Sequence, residues 1–311
     1  MNLHKNKAEF EGIVLSVADS LKILNPAKIE KDYYLTLFLK TLIQSQNGVV
    51  FKGGTSLSKC YKIIDRFSED IDLNFVTASL QEKQELVKTM KATIDQLELQ
   101  LVNPERIRDM HEVNQYFIAY PRIFKDKTIK QFVIAETIAH IKSFPTEIKE
   151  ISSIIHDFLK ANNASTEIEK YELHPFNLQV QTLDRTFIDK TYALADYAVS
   201  AALTNNSRHI YDLYRLYPEI KFDDKFKALI SDVIKVRKGL VGSHSLRPGV
   251  NLQQELQKIV DDRVFEIDYK TKTLPLLYKP VPYSEVITVI SKIINDGYFN
   301  IKNNIGTLNK F

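Results

Sequence analysis

The sequence has one cysteine, no tryptophan, and only nine glycines and ten prolines among its 311 residues. A single cysteine, Cys60, cannot form an intrachain disulfide, which excludes a disulfide-stapled scaffold and favours a reducing compartment. The scarcity of glycine and proline excludes a collagen-like or low-complexity chain. No apolar run approaches the roughly 20 residues that a membrane-spanning helix needs, and the first ten residues lack the apolar stretch of a signal peptide. We therefore expect a cytoplasmic protein with no membrane partner.

The sequence also lacks a strong bias of charge. It has 42 Lys and Arg against 39 Asp and Glu, a formal net charge of +3, and 44% of its residues are hydrophobic. This composition is typical of a globular protein with a substantial core. The mildly basic balance permits a nucleic-acid partner but does not require one, since dedicated duplex binders are usually more basic.

The pattern of apolar residues differs between the two parts of the chain. In the first part, helices alternate with short strands; after residue 185 nearly every segment has helical periodicity. Strands are predicted at 49–51, within 66–76, and at 115–122, 131–139 and 176–183, and helices at 8–24, 29–44, 80–102 and 147–161. Later helices are predicted at 186–203, 207–217, 223–238, 251–261 and 283–297. The sequence thus predicts an α/β domain over residues 1–184 and a mostly helical domain over 185–311.

A candidate phosphate cradle follows the first strand, at Gly53–Gly54–Thr55–Ser56. Glycine lets the backbone approach an anion closely, and the helix that follows offers free N–H groups at its start. A glycine pair between a strand and a helix is often only structural, and the spacing is not that of a P-loop. By itself this turn leaves both interpretations open.

Two acids are candidate metal ligands. Asp70 and Asp72 alternate with Ile71 and Leu73, so on a strand both carboxylates face one side while the apolar residues face the core. Like charges held this close repel unless a cation lies between them, and Mg²⁺ usually takes one or two carboxylates together with substrate phosphate. The alternative is an ordinary solvated strand face.

The combination is more specific than either motif. A strand, a glycine turn and a short helix, followed by a strand with two acids, are expected to bring the turn beside the carboxylates. A triphosphate would then bridge the turn and the metal, as nucleotidyl transfer requires.

Five ordered segments of the chain resemble the motifs of one family. The segments are IEKDYYLTLFL (29–39), FKGGTSLSK (51–59), RFSEDIDL (66–73), TFIDK (186–190) and SRHIYDLYRL (207–216). Together they resemble the AbiEii/AbiGii toxin family of the nucleotidyltransferase superfamily, which includes the MenT-type toxins. The resemblance implies an α+β fold, with a nucleotidyltransferase-like mixed β-sheet flanked by helices and followed by a mostly helical C-terminal domain.

The resemblance also implies roles for individual residues. The implied site consists of Gly53, Gly54, Thr55 and Ser56 on phosphate, Ser68 near the reaction, Asp70 and Asp72 on magnesium, Lys190 on the nucleotide phosphates, and Asp212 completing the site from the helical domain. Asp189 stands where many members have glutamate, a conservative departure.

Two further residues have competing interpretations. Glu136 is the only acid in its predicted strand and is a candidate third carboxylate, although a salt bridge would satisfy a buried acid as well as a metal would. Arg208 lies at helical spacing from Asp212, so it is either a partner in a surface ion pair or a residue that steers phosphate or RNA.

The expected function is a Mg²⁺-dependent transfer of a nucleoside monophosphate from an NTP to an acceptor hydroxyl, with Mn²⁺ as an alternative metal. The resemblance implies RNA or tRNA as acceptor and a separately encoded antitoxin as partner. Modification of a protein or a small molecule by the same fold is an open alternative, as is a non-catalytic nucleotide- or partner-binding module. Which NTP is used is not encoded in motif spacing.

Overall fold

The computed structural model describes residues 2–75, 79–108, 113–127 and 129–300. The chain forms two compact units. The first contains the residues up to Lys62 and Phe67–Thr182, and the second contains Ile63–Arg66 and the residues from Leu183 onward.

A seven-stranded mixed sheet organises the first unit. Its strands are β1 (Val49–Lys52), β2 (Asp70–Phe75), β3 (Gln100–Leu101), β4 (Val113–Ala119), β5 (Val133–Lys142), β6 (Thr146–Ile151) and β7 (Phe176–Gln181). The order across the sheet is β3-β4-β5-β2-β1-β7-β6. β2 runs antiparallel to β1 and parallel to β5, and β1 runs parallel to β7. The strand that carries the two predicted metal ligands is therefore the central strand.

Among the described residues of the first unit, six α-helices accompany this sheet. They are α1 (Lys7–Ser20), α2 (Pro26–Ser45), α3 (Gly53–Lys59), α4 (Leu80–Gln96), α5 (Ile154–Ala161) and α6 (Ser165–Lys170). α2 begins at Pro26, and the Asn25 side chain caps it by accepting from the N–H of Ala27, as expected at a helix start. Phe38 of α2 and Met90 of α4 belong to the same buried cluster as Ile71 of β2. The sheet thus buries one face of β2 and leaves the acids on the other.

Two predicted helices are partly wrong. The helix predicted over residues 80–102 ends at Gln96, and Gln100–Leu101 forms strand β3, which pairs with β4. Residues 147–161 were expected to be helical, but Thr146–Ile151 is strand β6, and α5 begins only at Ile154. The segment TEIKEI pairs residue by residue with β7, so the sheet supplies partners for backbone groups that a helix would have bonded internally. Ser153 caps this helix, and its hydroxyl accepts from the N–H of His156.

The second unit is helical. Its helices are α7 (Leu183–Val199), α8 (Arg208–Leu216), α9 (Asp224–Arg237), α10 (Leu252–Asp261), α11 (Glu266–Asp268), α12 (Tyr283–Val286) and α13 (Thr288–Asp296). α7 packs against α8, α9 and α10. The ring of Phe187 lies within 6.3 Å of four other aromatic rings, those of Tyr217, Phe222, Phe226 and Phe299. The expected α+β class, with a mixed sheet followed by a mostly helical part, is confirmed.

A short upstream segment also belongs to the second unit. The N–H of Asp65 donates to the Tyr211 hydroxyl at 3.1 Å, and its carbonyl accepts from the N–H of Tyr278 at 2.9 Å. Arg66 forms a single antiparallel bridge with Leu277. In the described part of the chain, no helix has the length and apolarity needed to cross a membrane.

His4 provides a test of the packing in the first unit. It is 8% exposed, and its Nδ1 lies 2.9 Å from the Tyr33 hydroxyl. Burial, assisted by the charge of Lys5, lowers the pKa of His4 from 6.5 to about 4. Between these two values the unfolded chain binds a proton that the folded chain does not.

We therefore expect the free energy of unfolding to fall as the pH falls from 6.5 towards 4, because protonation of His4 favours the unfolded chain. The variant His4→Gln should show a shallower decline over the same window. Urea unfolding of both proteins across these pH values measures the difference. Parallel curves would contradict the assignment.

Candidate active site

The two acids of β2 lie on the face of the strand opposite the core. Ile71 and Leu73 are fully buried, whereas Asp70 and Asp72 are partly exposed. This is the alternation predicted from the sequence, and it follows from the period of two along a strand. The carboxylates are therefore presented together at the centre of the sheet.

The glycine turn contacts one of these acids. β1 pairs with β2 so that Lys52 lies opposite Asp72, and the next residue, Gly53, has φ +78°. A Cβ on Gly53 would lie 1.9 Å from Oδ2 of Asp72, so only glycine allows both the backbone conformation and the position of this carboxylate. The turn and Asp72, one of the two acids, thus lie against each other within the first unit.

The hydroxyl groups after the turn are used inside the protein. Thr55 and Ser56 are buried. Thr55 Oγ1 donates to the carbonyl of Asp70 at 2.5 Å and lies 2.9 Å from Ser68 Oγ, and Ser56 Oγ donates to the carbonyl of Gly53 at 2.9 Å. Helix α3 is thereby tied to the loop that leads into β2. Phosphate binding by this segment stays a prediction.

Glu136 lies beside Asp72 on the neighbouring strand. The parallel register of β2 and β5 pairs these two residues, and the antiparallel register of β4 and β5 places Gln115 opposite Glu136. Gln115 Nε2 donates to Glu136 Oε2 at 2.7 Å. A polar row of Lys52, Asp72, Glu136 and Gln115 therefore crosses four strands. Within the described ranges, no three His, Cys, Asp or Glu side chains form a metal-binding group.

Sequence reasoning missed Lys130. Its Nζ donates to both carboxylate oxygens of Asp70, each at 2.9 Å. Lys130 lies in an irregular segment just before β5, where neither periodicity nor a motif distinguishes it from other surface lysines.

Sequence reasoning also missed three consecutive charges of α2. Glu30 accepts from the N–H groups of Ile123 and Phe124, and Lys31 Nζ donates to Glu69 Oε2 at 2.6 Å and to the carbonyl of Lys130 at 3.0 Å. The carboxylate of Asp32 binds Lys59 of α3 and accepts from the N–H of Ile154.

Glu30 is fully buried and Lys31 is 1% exposed, and burial lowers the pKa of Lys31 while the charge of Glu69 opposes this shift. Charges this deep require partners. A charged triplet inside an apolar helix was the signal in the sequence that could have revealed them.

In the second unit, Asp212 is the centre of a buried ion triad. It is fully buried; Arg66 Nε and Nη2 donate to its two oxygens at 2.7 and 2.8 Å, and Lys190 Nζ donates to Oδ2 at 2.7 Å. Burial alone would raise the pKa of Asp212, but the two cations outweigh it and hold this pKa well below the usual range. The structure thus brings the predicted pair Lys190 and Asp212 together, and adds Arg66, which the spacing did not indicate.

Two neighbours on α8 complete the description of the second unit. Arg208 is half-buried at the first residue of the helix. His209 has its ring 5.5 Å from that of Tyr197, and burial, with the charges of Lys190 and Arg208, lowers its pKa well below 6.5. A neutral, packed histidine fits this environment.

The predicted site residues thus fall into two groups. Gly53, Gly54, Thr55, Ser56, Ser68, Asp70, Asp72 and Glu136 belong to the first unit, and Lys190, Arg208 and Asp212 belong to the second. Within each unit the structure brings neighbours together as described above. Their joint use in one cleft stays a prediction.

Comparisons with known proteins agree with this fold. The profile of the family described as "Nucleotidyl transferase AbiEii toxin, Type IV TA system" matches residues 38–285. Among solved structures, MenT4, a nucleotidyltransferase toxin from Mycobacterium tuberculosis H37Rv, is similar with a TM-score of 0.54 and 17% identity, over 92% of this chain and 89% of that chain. No curated protein matches the sequence. The expected nucleotidyltransferase-like fold is confirmed.

Gly53 can be tested against a matched glycine. Gly48 also has positive φ, +75°, but a Cβ there would meet only Glu82 Oε1 at 4.0 Å. Gly48→Ala should lower the free energy of unfolding by about 1–2 kcal/mol, because it adds only the strain of a left-handed backbone conformation. Gly53→Ala should lower the free energy of unfolding by more, because its methyl group also displaces Asp72. Urea unfolding of both variants gives the comparison, and equal losses would show that the contact with Asp72 carries no constraint.

The buried triad yields a second prediction on stability. Asp212→Asn leaves two buried cations without their anion, and breaking such a pair costs about 3–5 kcal/mol. The triple variant Arg66→Met, Lys190→Met, Asp212→Leu removes all three charges and should recover most of this loss. Chemical denaturation measures both. A triple variant as unstable as the single one would mean that the triad is not the source of the effect.

Proposed function

Because the chain belongs to the AbiEii family of nucleotidyl transferase toxins, we propose that this nucleotidyltransferase moves a nucleoside monophosphate from an NTP to a hydroxyl of RNA, with tRNA as the first candidate, in a Mg²⁺-dependent reaction. The observation that carries the proposal is the contact between the Gly53 turn and Asp72 on the central strand. It joins the candidate phosphate cradle to the candidate metal ligands.

The donor set of β2 fits a hard divalent cation. Asp70 and Asp72 offer only carboxylate oxygens, the ligands that Mg²⁺ and Mn²⁺ prefer. The ammonium of Lys130 already bonds to both oxygens of Asp70, so this carboxylate accepts a cation in the present geometry. A Mg²⁺ site usually has one or two protein carboxylates as ligands, while water and substrate phosphate supply the remaining ligands. Asp70 and Asp72 would therefore hold the ion.

In the proposed reaction, the acceptor oxygen forms a bond to the α-phosphorus of the NTP. The bond from that phosphorus to the bridging oxygen breaks, and pyrophosphate leaves with the electron pair. The bound cation supplies neutralisation of the phosphate charge. The turn at Gly53–Gly54 holds the triphosphate, while Lys190, whose ammonium is oriented by Asp212, contributes a positive charge to the nucleotide phosphates.

The proton of the acceptor hydroxyl needs a base, for which we propose Glu136. Its register partner is Asp72, and adjacent strands lie about 4.8 Å apart, so its carboxylate lies beside the proposed metal ligands. Asp212 is the poorer choice, because two cations bind its oxygens and hold its pKa far below its usual range. Asp212 then acts by positioning Lys190 and Arg66.

The family description also bears on partners. It names a toxin of a type IV toxin–antitoxin system, so an antitoxin is implied as a partner. RNA as the acceptor is supported by the toxin family and by the mildly basic net charge of +3, which tolerates a polyanionic substrate.

A transfer assay tests the proposal. The purified protein is incubated with each labelled NTP, Mg²⁺, and either total RNA or total protein. We expect label on RNA, and a loss on the order of 100- to 1,000-fold for Asp70→Asn or Asp72→Asn, because charge stabilisation of several kcal/mol is removed at the metal.

Asp95→Asn is a matched control, since Asp95 is an exposed acid of α4. It should transfer at the wild-type rate. Full activity of Asp72→Asn would overturn the assignment of the metal site, and label on protein alone would overturn the assignment of the acceptor.

A further inference from the structure

Lys130 and Asp70 form an unusual pair for a protein surface. The lysine side chain is 46% exposed and that of Asp70 is 25% exposed, yet Nζ donates to both carboxylate oxygens at the same distance of 2.9 Å. Exposed ion pairs of this kind usually contribute little to stability. The position of this lysine therefore calls for an explanation other than folding.

The backbone that carries Lys130 is anchored from within the protein. The carbonyl of Lys130 accepts a hydrogen bond from the buried ammonium of Lys31. Upstream, the N–H groups of Ile123 and Phe124 donate to the two oxygens of the fully buried Glu30. Two buried charges of α2 thus hold the segment that delivers Lys130 to Asp70.

The same ammonium of Lys31 also holds the loop before β2. It donates to Glu69, the residue that precedes Asp70, at 2.6 Å. Lys31 therefore anchors the backbone of Lys130 through its carbonyl and the side chain of Glu69 next to Asp70, whose own backbone is held in strand β2. Because the backbones are anchored, the part of this pair that is free to rearrange is the flexible four-carbon side chain of Lys130.

A divalent cation and the Lys130 ammonium compete for Asp70. Both bind through the lone pairs of the same carboxylate, and two positive charges that lie on one carboxylate repel each other. Because Nζ already contacts both oxygens of Asp70, a metal ion on this carboxylate would lie against the ammonium, and the repulsion between them favours displacement of the ammonium. The anion that such a metal brings within reach of Lys130 is the polyphosphate of the nucleotide, and lysine binds phosphate as a compact point charge.

We propose that Lys130 is a nucleotide-binding residue of this site, which neutralises Asp70 until the divalent cation binds and then moves to the polyphosphate of the NTP. This inference rests on the proposed function and adds to it a residue that the sequence motifs do not contain. Its consequence is a pair of effects with opposite signs. Removal of the Lys130 charge strengthens binding of the metal alone and weakens binding of the nucleotide.

The test uses the full-length Lys130→Met variant and two measurements. Mn²⁺ titration of nucleotide-free protein, followed by the electron paramagnetic resonance signal of free Mn²⁺, should give a Kd about two- to fivefold lower than wild type, the scale of an exposed ion pair. The KM for NTP at saturating metal should rise about 10- to 100-fold, the scale of a lost hydrogen bond between charged groups. Lys130→Arg keeps the charge and should restore most of the wild-type KM.

Lys125→Met is the matched control, because Lys125 is an exposed lysine of the same segment. It removes one positive charge and should change neither constant. A thermal unfolding curve for each variant verifies that it is folded, and Lys130→Gln replaces Lys130→Met if the methionine variant is not.

The outcomes separate this inference from the proposed function. If wild type binds Mn²⁺ no better than Asp70→Asn and transfers no label, the proposed function fails. If wild type binds Mn²⁺ through Asp70 and transfers label, but Lys130→Met leaves both constants unchanged or weakens both, the role of Lys130 fails while the function stands. Tighter Mn²⁺ binding with a higher KM supports both.

Discussion

The close approach between the backbone of Gly53 and the carboxylate of Asp72 is the constraint on which the candidate site depends. It requires a positive φ at the end of β1 and no side chain at that residue. With both conditions met, the antiparallel register of β1 and β2 brings the turn against the acid. The parallel register of β2 and β5 then adds Glu136 on the other side. One local backbone feature at the centre of the sheet therefore determines which functional groups are neighbours.

Buried charges hold segments in place within each of the two units. Glu30 and Lys31 fix the segment before β5 and the loop before β2 in the first unit, and Asp212 fixes Arg66 and Lys190 in the second. A buried charge without a partner costs several kcal/mol, so any arrangement that separates these pairs is strongly disfavoured. These networks explain how irregular segments, which have no ladder of backbone hydrogen bonds, keep functional side chains in place.

Family and geometry contribute different parts of the functional argument. The structural likeness to MenT4, at 17% identity, shows the fold, whereas the family match over residues 38–285 shows that the chain is a nucleotidyltransferase of the toxin family. The geometry of the candidate site further limits the kinds of ligand that it can bind. Oxygen ligands at Asp70 and Asp72, a lysine on Asp70 and an acid beside Asp72 are suited to binding a cation and a polyphosphate, and they offer no cysteine or histidine chemistry at this position.

The sequence alone determined the division into a first part with strands and a mostly helical second part, the alternation of Asp70 and Asp72 with the core residues of β2, and the turn at Gly53, because each of these depends on the local period or on the conformational range of a single residue. The α+β class with its mixed sheet was implied by the family resemblance. Sequence reasoning misassigned residues 100–101 and 147–151, since a short segment can satisfy its backbone in a helix or at a sheet edge, and only pairing with β4 and β7, respectively, decided between them. The partners of the charges were decided by tertiary structure. Lys130, Arg66 and Glu30 reach residues 60, 146 and 93 positions away along the chain, and desolvation selects such partners by proximity in space, which no spacing in the sequence records.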